Sequence, residues 1–203
     1  MTQEEGYIKF ECEWQEKAIT LAKKNFNHIN SWRKKLHDLE LIGIDEEGIG
    51  FGNISLREEN TNRFYITGSK TGRHSDLNKD HYARVVDYNI DKNWVKCVGK
   101  VQASSESLTH AAVYESDPAV RAVIHTHHER LWKMLKDKLP TTSPDAEFGT
   151  PEMAREIKRL MDQREVRIEK LIVMGGHKEG IISFGRDLDE AGEVLLKYFN
   201  VMG

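Results

Sequence analysis

Three histidines lie within four residues of one another at the end of an apolar run, in the stretch AVRAVIHTHHERL at residues 119–131. The apolar run predicts a buried strand, and successive side chains on a strand point to opposite faces. His125 and His127 therefore share one face, and His128 points to the other. Two imidazoles at positions i and i+2 can bind one zinc ion, which prefers nitrogen ligands in a tetrahedral shell. Taken alone, the pattern is equally consistent with two hydrogen-bonded histidines at a strand terminus.

A third candidate ligand is His177, in the stretch VMGGHKEGI at residues 173–181. The two glycines before it break an apolar strand and allow a bulky group to approach the backbone closely. A catalytic zinc site takes three protein ligands and keeps one position open for substrate. His177 would complete such a set with His125 and His127. Considered alone, its position is that of an ordinary loop histidine.

A candidate catalytic carboxylate, Glu106, follows two serines in the stretch ASSESLTH at residues 103–110. The pattern predicts a helix that begins here, and the free N–H groups at a helix start favour an anion. Ser104 and Ser105 would add hydroxyl donors. Serine followed by an acidic residue is also an ordinary helix cap, so this segment alone does not decide between the two functions.

Two glycine-rich loops point to the same anion-binding chemistry. GFGNISLR at residues 50–57 and ITGSKTG at residues 66–72 each place glycine beside a small polar residue just outside a predicted strand. Such loops can present backbone N–H groups to a phosphate. Neither is a Walker loop or a G-x-G-x-x-G turn, so nucleotide binding is not indicated. Each loop taken separately is an ordinary turn.

The composition restricts the possible partners and the cellular location. The 203 residues carry a formal net charge of −3, with basic residues scattered along the chain, which disfavours nucleic acid or an anionic membrane as a partner. The N-terminal residues lack the apolar core of a signal peptide, and no apolar run is long enough to span a bilayer. Cys12 and Cys97 are far apart in sequence, as expected for reduced thiols. We expect one cytoplasmic domain over residues 1–203.

The predicted elements mix helices and strands without strict alternation. Apolar residues at intervals of three and four predict one or two amphipathic helices over residues 11–39, with their aromatic stripe in the core. Short strands follow, two of them joined as a hairpin at residues 91–93. Further helices are predicted at residues 106–116, 151–163 and 187–199, and further strands at residues 119–127, 170–176 and 180–185. This order favours a layered α/β domain with a mixed, largely antiparallel sheet.

Six motifs in order resemble one known family, that of the class II aldolases and adducins. They cover roughly residues 50–199 and read GNISLR, ITGSKTG, GKVQASSES, AVIHTHHE, FGTPEMAREI and GGHKEGIISFGRDLDEA. Each motif is weak by itself, but six in the same order are specific. The family contains zinc-dependent aldolases and epimerases of sugar phosphates, so the resemblance implies a single three-layer α/β/α domain and a zinc-dependent aldolase-type lyase.

The resemblance also implies a role for particular residues. It assigns a divalent metal to His125, His127 and His177, with Glu106 beside it as a fourth ligand or as the proton-transferring base. Zinc is expected, although manganese or cobalt can share such sites. The phosphate of a small sugar substrate would be held by Gly52, Asn53, Thr67, Gly68, Ser104 and Ser105. The family further implies a ring-like homotetramer in which a neighbouring chain completes each site.

The sequence departs from the family pattern at two places that bear on the substrate. GGHKEG carries two extra residues between His177 and the following glycine, which predicts either a displaced His177 or a reshaped fourth coordination position. SPDAEFGT at residues 143–150 has Asp145 where the family pattern has a catalytic tyrosine, so we expect Asp145 to be the proton-donating acid. Glu147 and Glu179 are the next candidates. The alternatives are a sugar-phosphate 4-epimerase or methylthioribulose-phosphate dehydratase-like enzyme, and a metal-free adducin-like binding module.

Overall fold

A computed structural model describes residues 7–59 and 61–202 of the chain. Its strands are β1 (Glu11–Glu16), β2 (Gly43–Ile44), β3 (Gly50–Phe51), β4 (Asn53–Arg57), β5 (Phe64–Thr67), β6 (Tyr82–Asn89), β7 (Trp94–Gly99), β8 (Ala122–His127), β9 (Leu171–Val173) and β10 (Gly180–Gly185). Its α-helices are α1 (Lys23–Asp38), α2 (Ser107–Ser116), α3 (Glu129–Leu135), α4 (Pro151–Met161), α5 (Arg164–Glu169) and α6 (Leu188–Phe199).

Eight of these strands form one sheet in the order β1-β7-β6-β5-β4-β8-β10-β9, and β2 pairs with β3 separately. The edge strand β1 runs parallel to β7, and the other pairs of the large sheet are antiparallel. The prediction of a mixed, largely antiparallel sheet is confirmed. Strand β8 lies inside the sheet between β4 and β10, which buries both of its faces.

Two hydrophobic cores cover the two faces of the sheet. One contains side chains of α2, α4 and α5, including Leu108, Ile157 and Val166. The other contains side chains of α1, α3 and α6, including Leu36 and Leu195. An amphipathic helix and a sheet face exclude water from each other in this arrangement. The three-layer α/β/α architecture expected from the sequence is therefore confirmed.

The first predicted helix begins later than the sequence pattern indicated. Residues 11–16 form strand β1 instead of a helix, and Trp14 at 37% exposure is not part of the core. Its indole Nε1 donates a hydrogen bond to the carbonyl oxygen of Gly99 on β7 at 2.9 Å. Phe10, Cys12 and Trp14 also recur at every second position, which is the strand period. Pairing with β7 decides between these two overlapping patterns.

The other predicted elements agree with the structure to within a few residues. β6 and β7 form the expected hairpin across residues 91–93. Helix α4 begins with Pro151, and its first turn is capped by Thr150, whose Oγ1 accepts a hydrogen bond from the N–H of Met153. Among the described residues, no helix is both long enough and apolar enough to cross a bilayer.

Candidate functional site

The three histidines singled out in the sequence converge on one point beneath a cleft. His125 and His127 project from the same face of β8, and His177 reaches them from the β9–β10 connection. All three are at most 5% exposed, and one ring nitrogen from each lies within 4.8 Å of the others. Nε2 of His125 and Nε2 of His127 are 3.1 Å apart. Two nitrogens bound to one tetrahedral zinc ion are about 3.3 Å apart, so the spacing suits a metal.

The ring of His125 is oriented by a backbone contact from the neighbouring strand. Its Nδ1 lies 3.3 Å from the carbonyl oxygen of Ile181 and is the donor of that hydrogen bond, since a carbonyl can only accept. The lone pair then resides on Nε2, which faces His127. Burial, together with the imidazoles of His127 and His177, holds the pKa of His125 well below its usual value. His125 is therefore neutral at physiological pH, the form that binds metals.

The loop that carries His177 is packed tightly against the segment 142–146. A Cβ atom on Gly175 would fall onto the carbonyl oxygen of Thr142, and one on Gly176 would fall onto that of Ala146. The two glycines therefore permit a close approach of two backbones. The extra residues Lys178 and Glu179 do not remove His177 from the cluster, because the chain turns back within residues 174–180.

Glu106 lies at the start of α2 and is nearly fully buried. Its Oε2 accepts a hydrogen bond from Oγ1 of Thr109 at 2.6 Å. Its Oε1 is 3.9 Å from Nδ1 of His177 and has no hydrogen-bond partner among the described residues. A buried oxygen left without a donor is costly unless it binds a ligand or an ion. Three imidazole nitrogens and one carboxylate oxygen form a donor set typical of zinc.

An open cleft lies above the histidines and is bounded by several loops. Its wall residues are Gly50, Phe51, Gly52, Asn53, Gly68, Ser69, Lys70, Thr71, Gly72, Ser104, Ser105, Glu106, His125, Phe148 and His177. The structure thus brings five of the six predicted phosphate-binding residues together with Glu106 and two of the histidines. His127 lies behind this wall, beneath the ring of Phe51 at a centroid distance of 5.5 Å.

The sixth predicted phosphate-binding residue, Thr67, does not line the cleft. It is buried at the end of β5, where its Oγ1 accepts a hydrogen bond from the N–H of Ile54 on β4 at 3.2 Å. In this conformation its hydroxyl holds two strands together. Asn53 differs from Thr67, because its buried side-chain oxygen Oδ1 has no hydrogen-bond partner in the described part of the chain.

Asp145 lies outside the cleft, on the exposed surface of the segment 143–147. It lines a separate groove together with Ser143, Glu152 and Arg155, among others. Glu147 is engaged in an ion pair with Lys9 at 2.9 Å. Glu106 is the one carboxylate on the wall of the cleft among residues 7–59 and 61–202. The role of Asp145 in a site shared between chains stays a prediction.

His128 has a structural role on the opposite side of β8. It caps α3, where its Nδ1 accepts a hydrogen bond from the N–H of Leu131 at 3.1 Å. Its ring packs edge-on against Phe199 at a centroid distance of 5.4 Å. The alternation of a strand therefore separates it from His125 and His127, as the sequence predicted.

Several wall residues were not singled out from the sequence. Phe148 stacks on the ring of His177, with centroids 4.5 Å apart and planes inclined by 24°. Lys9 in turn places its Nζ 3.7 Å from the centroid of the Phe148 ring. Lys70 has a positive φ of 62° within the ITGSKTG loop. Phe148 and Lys70 lie inside the sequence motifs FGTPEMAREI and ITGSKTG, but only the structure shows which residues they contact.

Comparisons with known proteins agree on one family and one fold. The family model described as Class II Aldolase and Adducin N-terminal domain matches residues 45–198. An L-fuculose 1-phosphate aldolase structure is similar with a TM-score of 0.67 and 19% identity, over 89% of this chain and 84% of that one. The structure of YgbL from Escherichia coli is similar with a TM-score of 0.62 and 15% identity, over 84% of this chain and 83% of that one. The structure of L-fuculose-1-phosphate aldolase from Thermus thermophilus is similar with a TM-score of 0.57 and 19% identity, over 85% of each chain. No curated protein sequence matches significantly.

Proposed function

Because the chain belongs to the class II aldolase and adducin family, we propose that it is a metal-dependent lyase of the aldolase type that cleaves a phosphorylated sugar. One observation carries the proposal. The buried cluster of His125, His127 and His177 opens into a cleft whose wall includes Asn53, Ser104 and Ser105. Beside the cluster lies Oε1 of Glu106, which has no hydrogen-bond partner among the described residues. A metal-binding end and an anion-binding end therefore lie in one cleft.

The histidines would hold the metal, with Glu106 as a fourth ligand or as the base. A bound divalent ion would supply Lewis acidity that stabilises negative charge on the oxygens of the sugar. Glu106 takes the proton from the substrate at Oε1, since its Oε2 is held by Thr109. Thr109 thus keeps the reactive oxygen directed toward the histidines. We propose Zn²⁺ as the ion and retain Mn²⁺ and Co²⁺ as alternatives to be measured.

A second part of the cleft wall, which we call its anion-binding end, would bind the phosphate. Ser105 and the amide of Asn53 supply hydrogen-bond donors there, and Gly52 and Gly68 let the backbone approach closely. Ser104 also lines this end, and its Oγ already accepts a hydrogen bond from the N–H of Glu106 at 3.4 Å. Binding energy from the phosphate orients the distant reacting carbons.

We propose a homotetramer in which a neighbouring chain supplies the second acid. The cleft wall contains one carboxylate among the described residues, that of Glu106. Cleavage of the carbon–carbon bond needs both a base that takes the proton of the β-hydroxyl group and an acid that protonates the carbon of the resulting enediolate. Asp145 is exposed on a segment that contacts the His177 loop, so it is accessible to another subunit.

The test is a product assay on the protein loaded in turn with Zn²⁺, Mn²⁺ or Co²⁺. A panel of ketose 1-phosphates, ketose 5-phosphates and their unphosphorylated analogues would be followed by nuclear magnetic resonance. The proposal expects release of dihydroxyacetone phosphate or glycolaldehyde phosphate, abolished by chelation and in His127→Gln. Inversion or dehydration without cleavage would instead identify the epimerase or dehydratase alternative. Absence of both metal binding and turnover would favour an adducin-like binding module.

A further inference from the structure

A buried arginine stands directly behind one loop of the cleft. Arg33 on α1 is 1% exposed, and its side chain reaches the loop that follows β5. Its Nη2 donates hydrogen bonds to the carbonyl oxygens of Thr71 and Gly72 at 3.2 and 3.1 Å. Its Nη1 donates to the carbonyl oxygens of His74 and Ser75. One guanidinium therefore holds four carbonyl groups of residues 71–75.

These hydrogen bonds determine which way the peptide groups of the loop point. In a trans peptide the C=O of one residue and the N–H of the next point in opposite directions. Since the carbonyls of Thr71 and Gly72 point at Arg33, the N–H groups of Gly72 and Arg73 point away from it. Gly72 lies on the wall of the cleft, beside Gly50. The backbone N–H groups of residues 70–72 donate no hydrogen bond to any other described residue.

The charge of Arg33 has no close counter-ion in the part of the chain that the structure describes. No carboxylate there lies within 4.0 Å of its guanidinium nitrogens, although Asp38 and Asp76 act on it from further away. An arginine stays protonated in proteins, and a buried charge that is paired only with carbonyl dipoles carries a large desolvation cost. A positive charge behind a loop that lines a cleft stabilises an anion in that cleft.

We propose that Arg33 is the positioning residue of the anion-binding end of the cleft. It turns the carbonyls of residues 71–75 away from the bound anion and supplies the positive charge that balances it. Arg33 does not touch the anion itself. This inference rests on the proposed function in one respect, that the anion is a phosphate. The loop of residues 69–72, which carries Lys70 and lines the cleft, would then contribute to phosphate affinity beside Asn53 and Ser105.

The experiment compares three variants in a calorimetric titration with inorganic phosphate. Arg33→Met removes the charge and the four hydrogen bonds, whereas Arg33→Lys keeps the charge and loses the forked geometry. Lys34→Met is the matched control, because it removes one positive charge from the next residue of α1 at an exposed position. We expect phosphate binding to weaken about tenfold or more in Arg33→Met, less in Arg33→Lys, and by less than about twofold in Lys34→Met.

A second measurement uses the unaltered protein and does not depend on whether a variant folds. Hydrogen exchange followed with and without phosphate should show slower exchange at the N–H groups of residues 70–73 when phosphate is bound. Strand β7 lies away from the cleft and should show no change. Two results would overturn the inference about Arg33 and leave the proposed function intact. One is a folded Arg33→Met protein that has a lower melting temperature but an unchanged phosphate affinity. The other is unchanged hydrogen exchange at residues 70–73 when phosphate is bound. A wild-type protein that does not bind phosphate also overturns the anion end of the proposed function.

Discussion

Asn53 and His125 are cross-strand neighbours, paired directly in the register of β4 and β8. Asn53 is buried at the cleft with an Oδ1 that has no partner among the described residues, and His125 belongs to the histidine cluster. Paired residues in a sheet have a nearly fixed separation, because the backbone hydrogen bonds on either side set it. One rung of the central sheet therefore sets the distance between a residue proposed to bind the phosphate and a residue proposed to bind the metal.

The histidine cluster predicts about one divalent ion per chain. His125→Ala should lose most of this metal, because it removes one of three ligands. His128→Ala is the matched control, since His128 lies on the other face of β8 and caps α3. Elemental analysis after loading with zinc and exhaustive dialysis measures the stoichiometry. Full occupancy in His125→Ala, or no metal in the wild type, would contradict the assignment.

Glu106→Gln should lower turnover by about two orders of magnitude or more, because the amide cannot accept the substrate proton. The amide can still accept the hydrogen bond from Thr109, so the fold and the affinity for inorganic phosphate should stay close to those of the wild type. Turnover comes from steady-state kinetics on the substrate identified in the product assay. Near wild-type turnover would remove Glu106 from the mechanism.

The stacking of Phe148 on His177 should contribute to metal affinity. Phe148→Ala leaves the imidazole ring less constrained, and we expect zinc binding to weaken about two- to tenfold. Phe199→Ala is the control, because Phe199 packs against His128, which is not a ligand. Competition with a chromophoric chelator reports the affinity without reference to activity. Equal affinities in the two variants would show that the stack has no effect on the metal.

A buried histidine beside the site should make stability depend on pH. Burial lowers the pKa of His110 to about 3, and its Nδ1 lies 2.7 Å from Oγ of Ser55. Between about pH 3 and 6.5 the unfolded chain binds a proton that the folded chain does not, so stability falls as the pH falls through this range. Relative to neutral pH, this one group lowers the free energy of unfolding at pH 5 by about 2 kcal/mol.

Urea unfolding of metal-free protein at pH 7 and pH 5 tests this dependence. Between pH 7 and pH 5 the free energy of unfolding of His110→Gln should fall by about 2 kcal/mol less than that of the wild type. Tyr114→Phe is the control, because it removes a hydroxyl that contacts Ser55 but does not change the number of imidazoles. An identical pH dependence in wild type and His110→Gln would show that His110 keeps an ordinary pKa in the folded protein.

The shared-site hypothesis for Asp145 predicts complementation between inactive chains. Mixing Asp145→Ala and His125→Ala chains should restore partial activity, because some sites would then combine an intact acid with intact ligands. Subunit exchange is confirmed by mass spectrometry of differently labelled chains. A mixture that stays inactive despite exchange, or a protein that is monomeric at working concentration, would place the acid within one chain.

The metal cluster could be anticipated in two steps. Strand alternation predicts that His125 and His127 share a face, whereas His177 was added to the set by the resemblance to the class II aldolase family. The roles of Arg33 and Phe148 could not be anticipated in the same way. Arg33 contacts residues 38 to 42 positions away, and Phe148 contacts a residue in a different loop. Neither contact leaves a periodic pattern in the sequence.

One error has an identifiable physical cause. Residues 11–16 carry both a helical and an alternating apolar pattern, and pairing with β7 selects the strand. Thr67 is the last residue of β5 and precedes a glycine-rich loop, and its hydroxyl accepts a hydrogen bond from the backbone of β4. Its role in phosphate binding stays a prediction. The exposure of Asp145 was not predicted from one chain, because the resemblance placed it in a site completed by a second.

The contact of Gly175 and Gly176 with the backbone of residues 142 and 146 has a thermodynamic consequence. The loop that presents His177 and the surface segment that presents Asp145 cannot move independently. Any subunit that packs against this segment and orders it therefore also orders a metal ligand. By reciprocity, metal binding then strengthens assembly by the same free energy by which assembly strengthens metal binding. In the proposed homotetramer, removal of the metal should therefore weaken the contacts between subunits, and dilution to monomers should release the metal.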